Sequence, residues 1–563
     1  MRGHLKINRV LAFRLFLGLA AAAIVLLMGA AGWLKRLEFL NNDSYVDLRE
    51  KKASDPRIII VEISDYDIAR IGRWPWQRTW FAALSRALTE WGARSVYFDI
   101  VCSEHASEEE DAVFEEAIRE SRNVYLPMAF MQDSLDTRKA FLPLERFSRH
   151  ARGVGAINIF PDKDGILRRI PLVFPSDKQL YFQAGALLAM DYAGLAFRDW
   201  NERELVIGSG ERTISVPLEN SRFMHINWLG RWENTFRHYS ILDILAEYQN
   251  RKEGKPPAFD ISNFEGSICL VGVTSLGLYD IKATPVQPEY PAVGIVATVV
   301  DNILNNDFLR TVPWRVTALC VLFLCLVIAL VTTGNSPHGE VLFLLLMSVA
   351  CFYIGLMLFG RGYFLNSYLL ILGMLLAYSV TELYNFYAAV REKQRLLHMA
   401  VTDGLTGLYN INYFKVAVET EILLVRADPH KSFSVIMCDI DHFKAVNDTL
   451  GHQVGDAMIK EIADALKASV RAADVAARYG GDEIIILLRG AGSQGCRICA
   501  EKLRQNVETM ASKKQGPESK VTLSVGFATY RKNDTAESII KRADEGLYKS
   551  KQGGRNRIST VED

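Results

Sequence analysis

The chain has 563 residues, with 65 Lys plus Arg balancing 65 Asp plus Glu, so its net charge is zero. That length exceeds what a single hydrophobic core organises, and the balanced charge excludes a global pull toward nucleic acid, so no nucleic-acid partner is expected. Four runs lack any Asp, Glu, Lys or Arg: Leu15–Leu34, Val316–Gly339, Val341–Gly360 and Gly362–Thr381. Each is close to the ~20 residues that cross a bilayer core, and together they exclude a soluble protein.

The first run follows Arg2, Lys6, Arg9 and Arg14 in an N-terminus spanning residues 1–14. Its apolar part is longer than the roughly 7–15-residue core of a cleaved leader, and no small-x-small site precedes Trp33. We therefore read residues 15–34 as a transmembrane helix with its basic end in the cytoplasm, in contact with membrane lipid. Residues 35–312 then form a domain outside, and residues 313–381 supply three more transmembrane helices, the first of them stopping near Thr333 in TGNSPHG. Four crossings return the C-terminus to the cytoplasm, and the basic stretch Arg391–Arg395 agrees with that side.

In the outside region, RIIIVEISDYDIARIGRWPWQRTWFAALSRALTEWGARSVYFDIVCSE (Arg57–Glu104) reads as strand, turn, helix, strand. GVGAINIFPDKDGILRRIPL (Gly153–Leu172) and GSICLVGVTSLGLYDIKATPV (Gly266–Val286) follow, and alternating strands and helices imply an α/β sheet layer. As a set, these stretches over residues 37–310 resemble the type-2 CHASE extracellular sensor family of bacterial cyclases and kinases. The resemblance implies a ligand outside the cytoplasm whose identity the residues do not give. Asp65, Trp74, Trp76 and Asp99 fall at strand ends or turns, where α/β domains bind ligands, while Trp74-Pro75-Trp76 reads equally well as packing. Of the eight cysteines, Cys102 and Cys269 are the two outside, and spacing does not decide whether they pair. Cys496 and Cys499 form a CxxC with no second pair nearby, which suits packing better than zinc.

The segment Glu382–Val401 spaces Leu383, Tyr387, Val390, Gln394, Leu397 and Val401 as a 4-3-4-3-4 heptad seam. A homodimer through this linker (residues 382–402) and the membrane helices is expected. His398 invites a phospho-acceptor reading, but no ATP-binding glycine motif follows it.

In residues 403–563, an apolar strand Ser432–Cys438 ends in Asp439 and Asp441. The runs VAARY and EIIILLR flank Gly480 and Gly481, which reads as a tight hairpin whose glycines let a ligand approach the backbone. Carboxylates at the mouths of two strands, with Lys444 nearby, form the oxygen-rich set that a divalent cation and a triphosphate require.

Five motifs in order, DGLTGLYN (Asp403–Asn410), DIDHFKAVND (Asp439–Asp448), GHQVGD (Gly451–Asp456), RYGGDE (Arg478–Glu483) and LSVGFA with ADEGLYKSKQGGRN (Ala543–Asn556), resemble the GGDEF domain of diguanylate cyclases. The resemblance implies an α/β fold of the nucleotide-cyclase/polymerase-palm type and the joining of two GTP molecules into cyclic di-GMP with release of two pyrophosphates. Whole, the fold class is an α/β multidomain membrane protein: α/β periplasmic sensor, four transmembrane helices, α/β GGDEF domain, in the bacterial inner membrane. By the resemblance, Asp439, the Ile440 carbonyl and Asp482 hold Mg²⁺, with Mn²⁺ as the alternative ion. Asn447 and Asp456 read guanine beside His452. Lys444, Lys551 and Arg555, with Gly480 and Gly481, take the triphosphate. Glu483 with Asp482 eases deprotonation of the attacking hydroxyl. Arg471-Ala-Ala-Asp474, helped by Arg478, matches the family's inhibitory product site. Two departures stand out: Ile484 where the family has Phe, expected to face away from the carboxylates into the core, and Ile411 where it has Arg. Three readings remain open: a working cyclase, a non-catalytic effector binding GTP or cyclic di-GMP, and a cyclase making a different nucleotide.

Overall fold

The computed structural model describes residues 2–131, 140–176, 179–275, 281–428, 430–514, 516, 518 and 521–561, with side chains from residue 10 onward. Of the predicted stretch Gly266–Val286, residues 276–280 lie outside the described residues, as do the side chains of Arg2, Lys6 and Arg9. The chain forms two compact units, Met1–Tyr384 and Asn385–Asp563.

In the first unit, α1 (Arg2–Ala30) leads to α2 (Lys35–Leu48) and then to a seven-stranded sheet. Its elements are β1 (Ile58–Ile63), α3 (Asp65–Ile71), α4 (Arg78–Glu90), β2 (Ser95–Phe98), α5 (Glu108–Ser121), β3 (Val124–Phe130), β4 (Gly153–Ala156), α6 (Ala184–Tyr192), β5 (Arg237–Ser240), α7 (Ile241–Lys252), β6 (Ile268–Val273) and α8 (Ala292–Leu304). The order β5-β1-β6-β2-β3 is parallel throughout, β4 pairs parallel to β3, and the short strand Ala140–Phe141 closes the edge antiparallel. A parallel sheet is covered on both faces, so its strands are apolar on both faces too. In β1, Ile59, Val61 and Ile63 pack with Phe81 and Phe114 from α4 and α5. Ile58 and Ile60 pack with Val296 and Val300 of α8 on the other face. The expected α/β layer is present.

Charged side chains fasten α2 and the segment after it to this domain. Arg168 donates to both carboxylate oxygens of Asp43 in α2 at 2.7 and 2.6 Å, and to Asp162 and Asp164. The Asp55 amide donates to Asp301 Oδ1 of α8 at 2.7 Å, and Lys52 pairs with Asp307. Trp76 is buried beside Trp74 and Trp80, Asp65 accepts from Ser275 Oγ, and Cys102 and Cys269 are buried and unpaired.

Helices α9 (Trp314–Val331), α10 (Pro337–Gly360) and α11 (Ser367–Val401) complete, with α1, a set of four long and apolar enough to cross a membrane. They share a core of Ala22, Val321, Cys325, Cys351 and Met374. Gly18 brings α1 against α9: a Cβ there meets Ala329 Cβ at 2.9 Å and the Cys325 carbonyl at 3.0 Å, the small-residue contact typical of membrane helices. Helix α11 is unbroken from the apolar run through Val401, and Leu383, Tyr387 and Leu397 are exposed on it.

The second unit contains β7 (Tyr409–Asn410), α12 (Ile411–Ala427), β8 (Phe433–Asp441), α13 (Phe443–Leu450), α14 (His452–Ser469), β9 (Val475–Gly480), β10 (Glu483–Arg489), α15 (Ser493–Ser512), β11 (Thr522–Thr529), α16 (Ala536–Gln552) and β12 (Ile558–Thr560). The sheet order is β7-β9-β10-β8-β11-β12, antiparallel at its centre and parallel at both edges. All of β8 is buried, with Ile436, Cys438 and Ile440 facing one core and Val435 and Met437 the other. Cys496 packs into the first of these cores.

Candidate active site

The central strand places its carboxylates at its C-terminal end. Asp439 in β8 stands directly opposite Glu483 at the start of β10. The hairpin joining β9 to β10 turns on Gly481 and Asp482 rather than on the two glycines: Gly480 still pairs with Glu483, and Gly481 takes φ +47°. A side chain at that φ is strained, which is why glycine suits it. A register shift between Arg478 and Gly480 sits at the same point.

Lys551, near the end of α16, brings its ammonium to 2.6 Å from Asp439 Oδ2. Burial pushes the Asp439 carboxyl up; the Lys551 hydrogen bond and charge oppose the rise, and Asp482 and Asp441 add to it. Glu483 is raised in the same way, by burial first and then by the Asp439 charge. Carboxylates that repel one another at a half-buried strand end suit a hard cation with oxygen ligands, because such an ion removes the repulsion. Among the described residues, no group of three or more His, Cys, Asp or Glu is arranged to hold a metal by itself. The donor set therefore fits an ion that also takes backbone and ligand oxygens.

Asp441 does something else. Its carboxylate accepts from Thr522 Oγ1 and Ser524 Oγ at 2.7 Å and from the Asn556 amide at 3.0 Å. It clamps the end of β8 to β11 and to the segment carrying Arg555, whose φ is +64°.

On α13 and α14, Asn447 Oδ1 is buried without a hydrogen-bond partner. Gly455 makes room for it, since a Cβ at that position falls 1.9 Å from Asn447 Oδ1. An orphaned buried acceptor is costly unless a ligand satisfies it. Lys444, His452 and Asp456 are exposed on the same two helices.

Ile484 is 1% exposed, opposite Cys438, and packs in the core beneath the sheet. Ile411 opens α12 after the Asn410 cap, whose side chain accepts from the Tyr413 amide.

Arg471 and Asp474 line a cavity of about 420 Å³ with His398, Thr402, Tyr409 and Lys467. Asp474 is used internally: it accepts from the amides of Arg471 and Arg489. Arg478 does not join this cavity. Its guanidinium donates to the Gly481 carbonyl at 2.9 and 2.7 Å and to Asp403 at 3.3 Å. Asp403 also caps the turn to Thr406. The expectation that Arg478 assists Arg471 is corrected here: its guanidinium is taken up by the Gly481 carbonyl and the Asp403 carboxylate. Lys467, which the sequence did not single out, lines this cavity too, and His398 and Asp441 stand in other surroundings than their place in the sequence suggests, since those arise from contacts between distant segments.

The family model described as CHASE2 domain matches residues 19–331, more than half of the chain, and that of the diguanylate cyclase GGDEF domain matches residues 400–557. Diguanylate cyclase A of Treponema denticola is 39% identical over 168 residues, which are 29% of this chain and 45% of that protein. Response regulator PleD of Caulobacter vibrioides is 40% identical over 172 residues, 29% of this chain and 36% of that one. The chain thus spans less than half the length of either curated relative. A solved structure of the coiled coil and GGDEF domain of DgcB from Caulobacter crescentus in complex with c-di-GMP shares 30% identity, with 32% of this chain and 96% of that chain covered, at a TM-score of 0.30. With the parallel sheet, the four long apolar helices and the carboxylate hairpin in place, the chain belongs to the CHASE2 domain family and carries a GGDEF domain over residues 400–557.

Proposed function

We propose that the chain is a membrane-bound diguanylate cyclase of the bacterial inner membrane, condensing two GTP into cyclic di-GMP and two pyrophosphates under control of its outer domain. The observation that carries this reading is the Asp439–Glu483 pair at the strand mouth with Lys551 on Asp439. A divalent cation, Mg²⁺ in this reading or Mn²⁺ in its place, supplies charge neutralisation at the triphosphate when bound by Asp439, the Ile440 carbonyl and Asp482. Lys444, Lys551 and Arg555 bring positive charge to the same phosphates and stabilise the charge that develops in phosphoryl transfer. Gly480 and Gly481 leave the backbone open to them. The Asn447 amide, kept free by Gly455, and the Asp456 carboxylate pair with the guanine edge, and an adenine in their place leaves a buried polar group unmatched. Glu483, held up by burial, takes the proton from the attacking 3′-hydroxyl with Asp482 beside it.

One GGDEF domain holds one GTP, so two must meet, and aligning two bound reactants is a large part of the rate. The exposed apolar residues of α11 suit a homodimer seam. Arg471, with Asp474 fixing its backbone, takes the product for feedback inhibition.

The test uses the full chain in lipid nanodiscs with GTP and Mg²⁺, product being identified by mass spectrometry beside Glu483→Ala. Cyclic di-GMP from the natural sequence and none from the variant is expected. A folded dimer that makes no cyclic dinucleotide overturns the cyclase reading; a mixed guanine–adenine product overturns the guanine assignment.

A further inference from the structure

The proposed reaction brings a second GTP to each site, and the sheet leaves one side of the strand mouth for it. Side chains alternate along a strand. In β8, Ile436, Cys438 and Ile440 enter the core shared with α13, α14 and α15, whereas Val435 and Met437 enter the core shared with α12 and α16. Asp439 therefore belongs to the α16 face. The same alternation in β10, with Ile485 and Leu487 in the α16 core, puts Glu483 there too, directly opposite Asp439. Asn447 and Asp456, proposed to read guanine, sit on α13 and α14 and so on the other face. A GTP read by those helices crosses the strand mouth with its phosphates, and the α16 side stays open to the second nucleotide.

Helix α16 presents a stripe on that side. Asp544, Tyr548 and Lys551 are spaced i, i+4 and i+7, which is one face of a helix. Both ends of the stripe reach the carboxylate pair. Lys551 is 2.6 Å from Asp439 Oδ2, and the Glu483 carboxyl, raised by burial and then by Asp439, is raised further by the Asp544 charge. Tyr548 stands between these two and is 61% exposed. Among the described residues no ring packs on it and no group bonds its hydroxyl. It is the one aromatic residue of α16, and its exposed neighbours Lys541, Glu545 and Lys549 are all charged. An exposed tyrosine by itself marks nothing. This one is flanked by the two side chains that act on the reacting carboxylates.

We propose that Tyr548 positions the second nucleotide: its ring packs against the nucleoside of the GTP carried by the other copy of the chain and holds that 3′-hydroxyl toward Glu483. Aromatic rings take nucleobases face-on whatever the base, which suits a contact that positions rather than reads. The 3′-oxygen then bonds to the α-phosphorus of the GTP held at Asp439, the α-phosphorus–oxygen bond to pyrophosphate breaks, and the hydroxyl proton passes to Glu483. Alignment of two bound reactants is where such a contact acts on the rate. The inference rests on the cyclase reading and deepens it.

The test compares Tyr548→Ala and Tyr548→Phe with the natural sequence, as full chains in nanodiscs, by two readouts. One is the rate of cyclic di-GMP formation at saturating GTP. The other is equilibrium binding of a GTP analogue with a methylene between its α- and β-phosphorus, which occupies a domain's own site and cannot release pyrophosphate. Expected is a rate at least tenfold lower in Tyr548→Ala and within threefold of the natural rate in Tyr548→Phe, with analogue binding within threefold in both. A ring needed only for the fold costs binding and rate together. No cyclic dinucleotide from the natural sequence defeats the cyclase reading itself. With an active natural chain, a loss of rate below tenfold in Tyr548→Ala, an equal loss in Tyr548→Phe, or a loss of analogue binding beyond threefold overturns this inference alone.

Discussion

The Lys551 ammonium lies 2.6 Å from Asp439 Oδ2, so the cation that meets phosphate in the proposed reaction is parked on the carboxylate that meets metal. Lys551→Ala is expected to lower the rate of cyclic di-GMP formation 10- to 100-fold, and Asp439→Asn at least a thousandfold. Burial raises the Asp439 pKa, so the ionised carboxylate destabilises the fold at neutral pH and Asn relieves that strain. The Tm of Asp439→Asn, read by differential scanning fluorimetry, is therefore expected not to fall. A marked drop in Tm alongside lost activity contradicts this account.

Gly455 and Asn447 give a sharper test of guanine reading. A methyl at 455 falls 1.9 Å from Asn447 Oδ1 and forces that amide aside. Gly455→Ala is expected to raise KM for GTP at least tenfold and to reduce discrimination against ATP, with kcat less affected. Steady-state kinetics with both nucleotides decides it.

Ile484 is buried in a filled core, and the larger ring the family favours there meets that core rather than the substrate. Ile484→Phe is expected to change stability by about 1–3 kcal/mol through overpacking and to leave activity per folded molecule within about twofold. Ile484→Ala is expected to cost about 2–5 kcal/mol through a cavity. Urea unfolding of the second unit, with rates normalised to folded protein, separates the two effects.

Asp301 sets a pH dependence in the outer domain. Burial raises its carboxyl to about 6 against the Asp55 amide that lowers it. The folded state therefore holds a proton that the unfolded state has released. Stability falls as pH climbs from near 4 to 6, and the full cost, at most about 3 kcal/mol, is present above pH 6. Asp301→Asn is expected to flatten that window and raise Tm at pH 7 more than at pH 4.5, measured on the full chain in nanodiscs.

Arg471 and Lys467 both line the cavity proposed for product inhibition, while Asp474 is already engaged by backbone amides. Arg471→Ala is expected to raise the cyclic di-GMP concentration that halves activity at least tenfold, and Lys467→Ala three- to tenfold. Arg478→Ala, cutting a tie to Asp403 and Gly481, is expected to lower the basal rate instead. Inhibition curves with added product distinguish the three.

What the sequence discloses and what it withholds divides along contact range. The buried β-branched runs IIIVEI and FSVIMCDID identify their strands because an apolar stretch has few other places to go, and the four uncharged runs identify their helices for the same reason. The carboxylates of Asp439, Asp482 and Glu483 are legible from their place at strand mouths. The Arg478–Asp403 tie is not, since it joins residues far apart in the chain whose spacing carries no period. Asp441 resembles Asp439 in sequence and parts from it only through Thr522, Ser524 and Asn556. Trp74 and Trp76, a residue apart from the same proline, separate into a cavity wall and a core, which only the packing around them distinguishes.

The Asp441 clamp makes one failure mode separable from all others. Because a single carboxylate fastens both the neighbouring strand and the tail that bears Arg555, its loss loosens the nucleotide's anchorage while Asp439, Asp482 and Glu483 keep their positions in the hairpin and central strand. In the proposed reaction such a protein is expected to keep its divalent-ion binding and cooperative unfolding while holding the triphosphate less firmly. A conservative-looking change at Asp441, whose carboxylate is spent on Thr522, Ser524 and the Asn556 amide, is then expected to lower the rate without altering the hairpin.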